Sequence, residues 1–183
     1  MGRHAVDSNE MFFDGMAIPA ADRIGAEGEG FRCILHGMNP ERILIAAEAV
    51  GIGRAALQRA AGYARERVVF GRPIGQNQGI AHPLAQSWMN LEAANLMVMK
   101  AASLYDGKMD CGVEANAAKY LAGEAAFHAC ETAVMTHGGM GYSKEFHVER
   151  YLREVMIPRI APVTPHMILN FIAEKALGLP KSY

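Results

Sequence analysis

The sequence predicts an all-α protein: an antiparallel four-helix bundle with extra short helices, preceded by a short strand-and-turn segment. Three observations carry this. Apolar residues recur at helical spacing through several long stretches. The Gly- and Pro-bearing breaks between those stretches are short, as in bundles whose successive helices run antiparallel. Two dipeptides, Asn39-Pro40 and Thr164-Pro165, have the form of an N-cap followed by a first helical residue.

Residues 1–36 stand apart. "NEMFFDGMAIPAADRIGAEGEGF" holds a strand-like run at 11–13, then Asp-Gly, Pro and repeated Gly-Glu. One short strand cannot form a sheet, so its partners are expected in another chain or in a part of the protein outside this sequence. From Gly37 the pattern turns helical. Asn39 reads as the N-cap, and Ile43, Ala46, Ala47, Val50, Arg54 and Leu57 keep helical spacing to about Arg65. "FGRPIGQNQG" breaks the pattern. A second helix is predicted over about 80–105, with Leu84, Trp88, Leu91, Ala94 and Met97 on one stripe. "DGKMDCG" is a turn, and an Ala-rich third helix covers about 113–137 and ends at "GGMGY". A shorter helix follows over about 145–156. The last begins at Thr164-Pro165 and runs to about Ala176, where Gly178 and Pro180 stop it. The organisation expected is a β-domain remnant and linker over 1–36 and a helical bundle over 37–183. The many Ala and Met residues are expected mainly as core filler and close-packing positions.

A chain of 183 residues with 51% hydrophobic content suits one domain, or one plus a fragment. The formal net charge of −1 gives no electrostatic case for nucleic acid or an anionic membrane surface. Cys33, Cys111 and Cys130 are odd in number, form no C-x-x-C, and show no metal-site spacing with His. They read as buried free thiols of a reducing compartment. No apolar run is long enough to cross a bilayer, and the first residues lack a signal peptide's apolar core, so the expected setting is cytoplasmic, or matrix-like.

Four places could carry chemistry. In "HGMNPERILIAAEAVGIG", Glu41 stands at the mouth of a long apolar helix. As residue N2 it would be an acid favoured by the helix dipole; it could equally be the group that does the chemistry. Arg65, Arg67 and Arg72 surround the Gly71–Gly75 turn, either as a solvated basic helix end or as an anion grip. "THGGMGYS" puts three glycines, Gly138, Gly139 and Gly141, among four residues. One is an ordinary helix terminator; three suggest close approach of the backbone to something flat or bulky. Thr164 caps a helix whose free N–H groups could face an anion, while His166 alone reads as an ordinary polar helix residue.

Taken together, these segments resemble the C-terminal part of the acyl-CoA dehydrogenase family. "NEMFFDGMAIPAADRIGAEGEGF" looks like the end of that family's middle β-domain. "ERILIAAEAVGIGRAALQRAAGYARERVVFGRPIGQNQGIAHPLA" is similar to its helix–turn–helix, and "THGGMGYSKEFHVERYLRE" to its Gly-Gly-x-Gly-Tyr segment. The match covers essentially the whole sequence in family order. The resemblance implies an N-terminal helical domain and most of a β-domain lying outside this sequence, which would make the chain a fragment, a split gene product or a subunit.

The resemblance also implies FAD and an acyl-CoA thioester. In the family a carboxylate removes the α-proton while the β-hydrogen leaves as hydride to the flavin. A trans-2-enoyl-CoA forms, and an electron-transfer flavoprotein reoxidises the cofactor. Arg67 sits where the family grips the FAD pyrophosphate across a dimer. Phe70 and Gln78 occupy neighbouring flavin-nucleotide positions, and Gly138 and Gly139 lie where the backbone approaches the cofactor. Thr164 matches a Thr that contacts FAD, and His166 stands beside it where Gln or a similar residue is common. Arg42 and Asn39 fall where the CoA-binding helix begins. The implied assembly is a homo-oligomer, dimer or tetramer, or a heteromer with the missing domains.

The sequence departs from the family pattern in three ways. His166 is one, and Met135 replaces a Gln that usually helps hold FAD. Pro162 stands where the usual catalytic Glu lies, in "APVTPH" in place of "YEGT". Isovaleryl- and long-chain-type members instead carry the base in an "ER" pair, which "ERILIAAEAVG" matches, so the implied base is Glu41. Two alternatives stand beside this reading: a non-catalytic oligomerisation module or partner subunit that completes a flavin site, and a related flavin oxidase. The isolated chain is expected to be inactive.

Overall fold

The computed structural model describes residues 1–182. Its long helices are α1 (Gly30–Glu66), α2 (Gln78–Asp106) and α3 (Gly112–His137). The short helices α4 (Val148–Glu154) and α5 (Met156–Ile160) lead into α6 (Pro165–Lys175). Between α1 and α2, β1 (Val68–Val69) and β2 (Arg72–Pro73) form a small antiparallel hairpin.

Side-chain pairs give the helix directions. His36 and Asn39 share a cleft with Tyr105 and Asp106, and Ala64 shares another with Ala81 and Leu84, so α2 runs against α1. Lys100 meets Glu114 at 3.1 Å, and Ser87 lies 3.4 Å from Thr132, so α3 runs against α2. Near their starts Arg42 and Asn116 share a cleft, and near their ends Tyr63 stacks on His137, so α1 and α3 run parallel. Lys119 holds Val163 just before α6, and Phe171 lies beside Gly112, so α6 runs against α3. This is the predicted antiparallel bundle, with α3 at its centre.

Alanine makes the core. Ala46, Ala49, Ala56 and Ala60 on α1 face Ala118, Ala122, Ala126 and Ala129 on α3, all fully buried. Each buries little surface, but small side chains let the helices come close, and many weak dispersion contacts add up. At Gly53 the approach is tightest: an added Cβ would fall 2.6 Å from Leu91 Cδ2 and 3.0 Å from Ala126 Cα. The alanine reading therefore holds. The methionine reading does not: none of the methionines is buried, and Met89, Met99 and Met135 are all largely exposed.

Other local expectations are corrected. Residues 11–13 carry no strand, and Phe12 and Phe13 are exposed, because the partner strands that such a run needs are absent from this chain. α1 begins at Gly30, so Asn39 is not its N-cap and Pro40 lies inside it. Pro40 deprives the His36 carbonyl of its helical donor, and this is tolerated because residues 30–37 are all exposed. The helix expected over 145–156 is broken: a 3-10 turn at Lys144–Phe146 precedes α4, and His147 between them is left-handed. Trp88 of the predicted α2 stripe is more than half exposed, and of the cysteines only Cys111 and Cys130 are buried. Burial pushes the Cys130 thiol up to about 12. Among the described residues no single helix is long and apolar enough to cross a membrane, and no His/Cys/Asp/Glu group could hold a metal.

Candidate functional site

The candidate residues fall into two groups, one at each end of α1. At the C-terminal end, Arg67 leaves the helix in an extended conformation, and its N–H donates to the Tyr63 carbonyl at 2.8 Å. The hairpin that follows pairs Val69 with Arg72 across Phe70 and Gly71. Both turn residues have positive φ, 52° and 76°, the signature of a type I′ turn, which suits the twist of a two-stranded hairpin. Phe70 is an unusual residue for that conformation, and its ring is 99% exposed. Arg72 is tied back to the start of α2, donating to Asn77 Oδ1 at 2.6 Å. Arg67 has no acid partner among the described residues, so its guanidinium is left available.

The end of α3 meets this hairpin. The three glycines there have three different reasons. Gly138 ends the helix at φ 58°, ψ −133°, a conformation essentially restricted to glycine. Gly141 packs on the preceding helix: an added Cβ would sit 2.3 Å from the Val134 carbonyl oxygen. Gly139 has neither reason, since its φ is ordinary and nothing of this chain lies within 4 Å of an added Cβ. Open space beside such a glycine is what a backbone-hugging ligand requires.

A cleft of about 420 Å3 lies between the two segments, lined by Arg67, Gly138, Gly139 and Met135, and also by Tyr63 and His137. Sequence reasoning missed the last two. The His137 ring stacks on Tyr63 with centroids 4.3 Å apart, and Phe146 meets both edge-on. His137 Nδ1 lies 2.7 Å from the Ala133 carbonyl, which only accepts, so Nδ1 carries the proton. The available signal was phase: His137 follows Ala126, Ala129 and Ala133 on the buried face of α3. Phe70 projects from the neighbouring turn, while Gln78 is exposed at the start of α2, outside this cleft.

The second group lies at the other end. Glu41 is the twelfth residue of α1 and is exposed, with exposed Leu44 and Ala47 following it on the same face. Arg42 points to a different side. Its Nη1 donates to Asn39 Oδ1 at 3.0 Å. Its Nε is the only buried side-chain polar atom without a partner among the described residues. Desolvation lowers the Arg42 pKa, against an opposing pull from Glu41. Arg42 shares a cleft of about 140 Å3 with Asn116, Val163 and Phe171. Next to Val163, Thr164 caps α6 as predicted, its Oγ1 accepting from the Met167 N–H at 3.4 Å, and His166 is exposed. The chain neighbours of Glu41 and Thr164 thus meet in one cleft. The two groups are far apart: the 26 residues from Glu41 to Arg67 span roughly 39 Å of helix, at 1.5 Å per residue.

Residues 28–177 match the family model described as "Acyl-CoA dehydrogenase, C-terminal domain". An acyl-CoA dehydrogenase of Mycobacterium tuberculosis is 47% identical over 176 residues, which cover 95% of this chain and 45% of that protein. Butyryl-CoA dehydrogenase from Megasphaera elsdenii superposes with a TM-score of 0.84 at 36% identity, over 88% of this chain and 42% of that one. An FAD complex of PigA does so with a TM-score of 0.86 at 30% identity, over 91% and 43%. The chain therefore spans less than half the length of these relatives. The family model covers most of the chain and the bundle superposes on that of these relatives, so the chain belongs to the acyl-CoA dehydrogenase family.

Proposed function

We propose that the chain is the C-terminal part of an FAD-dependent acyl-CoA dehydrogenase that converts an acyl-CoA thioester to a trans-2-enoyl-CoA, with Glu41 as the base. The observation that carries this reading is the position of Glu41. A dipole effect decays within the first helical turn. Glu41 lies well beyond it, so a helix-start role does not account for the residue. Pro162, at the other family position for the base, has no acidic group. Glu41 instead heads an exposed strip with Leu44 and Ala47 that a cofactor and a covering domain would dry. In a dry cleft a carboxylate takes a proton more readily, because desolvation disfavours its charged form.

The residues present fit the cofactor. Arg67 offers an unpaired guanidinium for a pyrophosphate, Gly138 and Gly139 offer an uncovered backbone, and Phe70 an exposed ring. At the other end Thr164 and His166 would lie beside the reacting position. One cofactor cannot touch both groups of a single chain across roughly 39 Å. Each site is therefore built from the Arg67 end of one copy and the Thr164 end of another, which makes the oligomer part of the catalytic design. Gln78 would reach the cofactor at the Arg67 end. Asn39 and Arg42 would meet the CoA thioester near Glu41. When bound, flavin supplies the acceptor for the β-hydride; this chain supplies the base for the α-proton. An electron-transfer flavoprotein is the proposed acceptor of the electrons.

The test uses a full-length form carrying the domains its relatives have. It should purify yellow, and acyl-CoA added without oxygen should bleach the flavin. A form that folds and assembles but neither binds FAD nor bleaches supports the assembly-module reading instead.

A further inference from the structure

We propose that Lys119 is a positioning residue that holds residues 160–164, and with them the Thr164 end of the cofactor site, in place; this rests on the reading above that Thr164 faces the flavin. Lys119 lies on α3 in a core built mainly of alanine and other apolar residues, and it is 1% exposed. Its Nζ donates at 2.8 Å to two carbonyls, those of Arg159 and Val163. The first belongs to the last residues of α5, and the second immediately precedes the Thr164 cap. One ammonium thus bridges the two ends of the loop.

The loop needs such a tether. Pro158, Pro162 and Pro165 have no N–H, so this stretch can make few backbone hydrogen bonds of its own. The Thr164 cap is long, at 3.4 Å, and holds the start of α6 only weakly. Two further contacts fix the loop's near end to α3. A Cβ on Gly123 would fall 3.1 Å from the Pro158 carbonyl, and Arg159 pairs with Glu124 through bonds of 2.8 and 3.0 Å. Only Lys119 reaches past Pro162 to Val163 by a hydrogen bond. Packing alone would be served by an apolar side chain of similar length, without the cost of desolvating an ammonium.

The charged groups around Lys119 are Glu124 on its own helix, Arg159 on α5, and Arg42 on α1, Glu174 on α6 and Lys181, the last three bordering the adjoining cleft. Burial outweighs the pull of Glu124 and brings the Lys119 pKa down to about 8. In a state where residues 160–164 have moved off while Lys119 stays buried on α3, its ammonium lacks both acceptors and holds its proton less well, so loss of the proton favours that state and the segment loosens as pH rises.

The experiment compares wild type, Lys119→Met and Lys119→Arg in the flavin-loaded full-length form. FAD dissociation is followed from about pH 7 to 10, spanning the Lys119 transition, together with amide hydrogen exchange over 160–168. Wild type should release FAD more readily above about pH 8, the Lys119 value. Lys119→Met should bind FAD about tenfold more weakly throughout, with faster exchange over 160–168 and no transition, as expected for one lost charged contact. Lys119→Arg cannot deprotonate, and should lose the transition while retaining more affinity than Lys119→Met. If Lys119→Met does not fold, the Lys119→Arg profile decides. Variants that bind FAD as wild type does and keep the alkaline transition would overturn the proposal. Wild type that binds no FAD would overturn the functional reading instead.

Discussion

Arg67 and Arg72 flank the same turn and do different work. Arg72 is spent on Asn77, which starts α2, whereas Arg67 meets no acid. Arg67→Ala should therefore leave the fold intact and weaken FAD retention in the full-length form by about 1.5–3 kcal/mol, roughly tenfold to over a hundredfold. Dilution followed by fluorescence of released flavin measures this, and retention equal to wild type removes Arg67 from the site. Lys119 makes a prediction of another kind. Its folded value is about 8 and its unfolded value about 10.4, so the unfolded chain holds more protons between them. Stability should rise with pH through that window, by at most about 3 kcal/mol. Lys119→Met should flatten the rise in urea melts. The local loosening near Thr164 has the opposite sign, which separates the two effects.

At the scale of elements, the Gly-Gly-x-Gly turn shows what sequence can and cannot say. The sequence marks the cluster, but it does not assign the reasons. Those depend on a backbone conformation at Gly138 and on a close carbonyl approach at Gly141 that only folding creates. Gly141→Ala should destabilise the bundle by about 1–3 kcal/mol or more through overpacking. Gly139→Ala should change stability by no more than about 0.5 kcal/mol, yet weaken FAD in the full-length form. Thermal melts and flavin content on the two variants check the pair; equal effects on both would remove the cofactor argument for Gly139. The helices themselves were legible because their apolar spacing is local. The start of α1 was not, because Asn39-Pro40 has the local form of a helix start and nothing local reports that the helix begins before it. The β1–β2 hairpin escaped notice because each strand has only two residues, too few for a period-2 pattern. Tyr63 and His137 were invisible as a pair because 74 residues separate them and their contact depends on the parallel packing of α1 and α3.

At the scale of the molecule, the separation of the two residue groups along α1 governs everything else. On the proposed reading it rules out a cofactor site within one chain and calls for two copies. The outer face of α2, with Trp88, Met89, Leu96 and Met99 exposed, is apolar enough to drive association. The 183-residue chain alone should self-associate at micromolar concentration while binding FAD weakly, since the covering β-domain is not part of it. Sedimentation and a flavin titration test both statements; a strict monomer contradicts the first and a stoichiometric yellow complex the second. The family and the bundle were legible in the sequence because they rest on motif order and local spacing. The two-ended layout was legible only through the resemblance, which puts Arg67 across a dimer; the distance behind it follows from the unbroken length of α1.

The central claim is that Glu41 is the base, and its most direct test is flavin bleaching by acyl-CoA in the Glu41→Gln variant of the full-length form. Gln keeps the shape and removes the proton acceptor. Fold, assembly and FAD content should survive, while bleaching should be abolished or slowed by orders of magnitude. Loss of a surface helix acid would change stability by no more than about 0.5 kcal/mol and would leave the chemistry untouched. Bleaching of Glu41→Gln at the wild-type rate would contradict the account and place the base elsewhere.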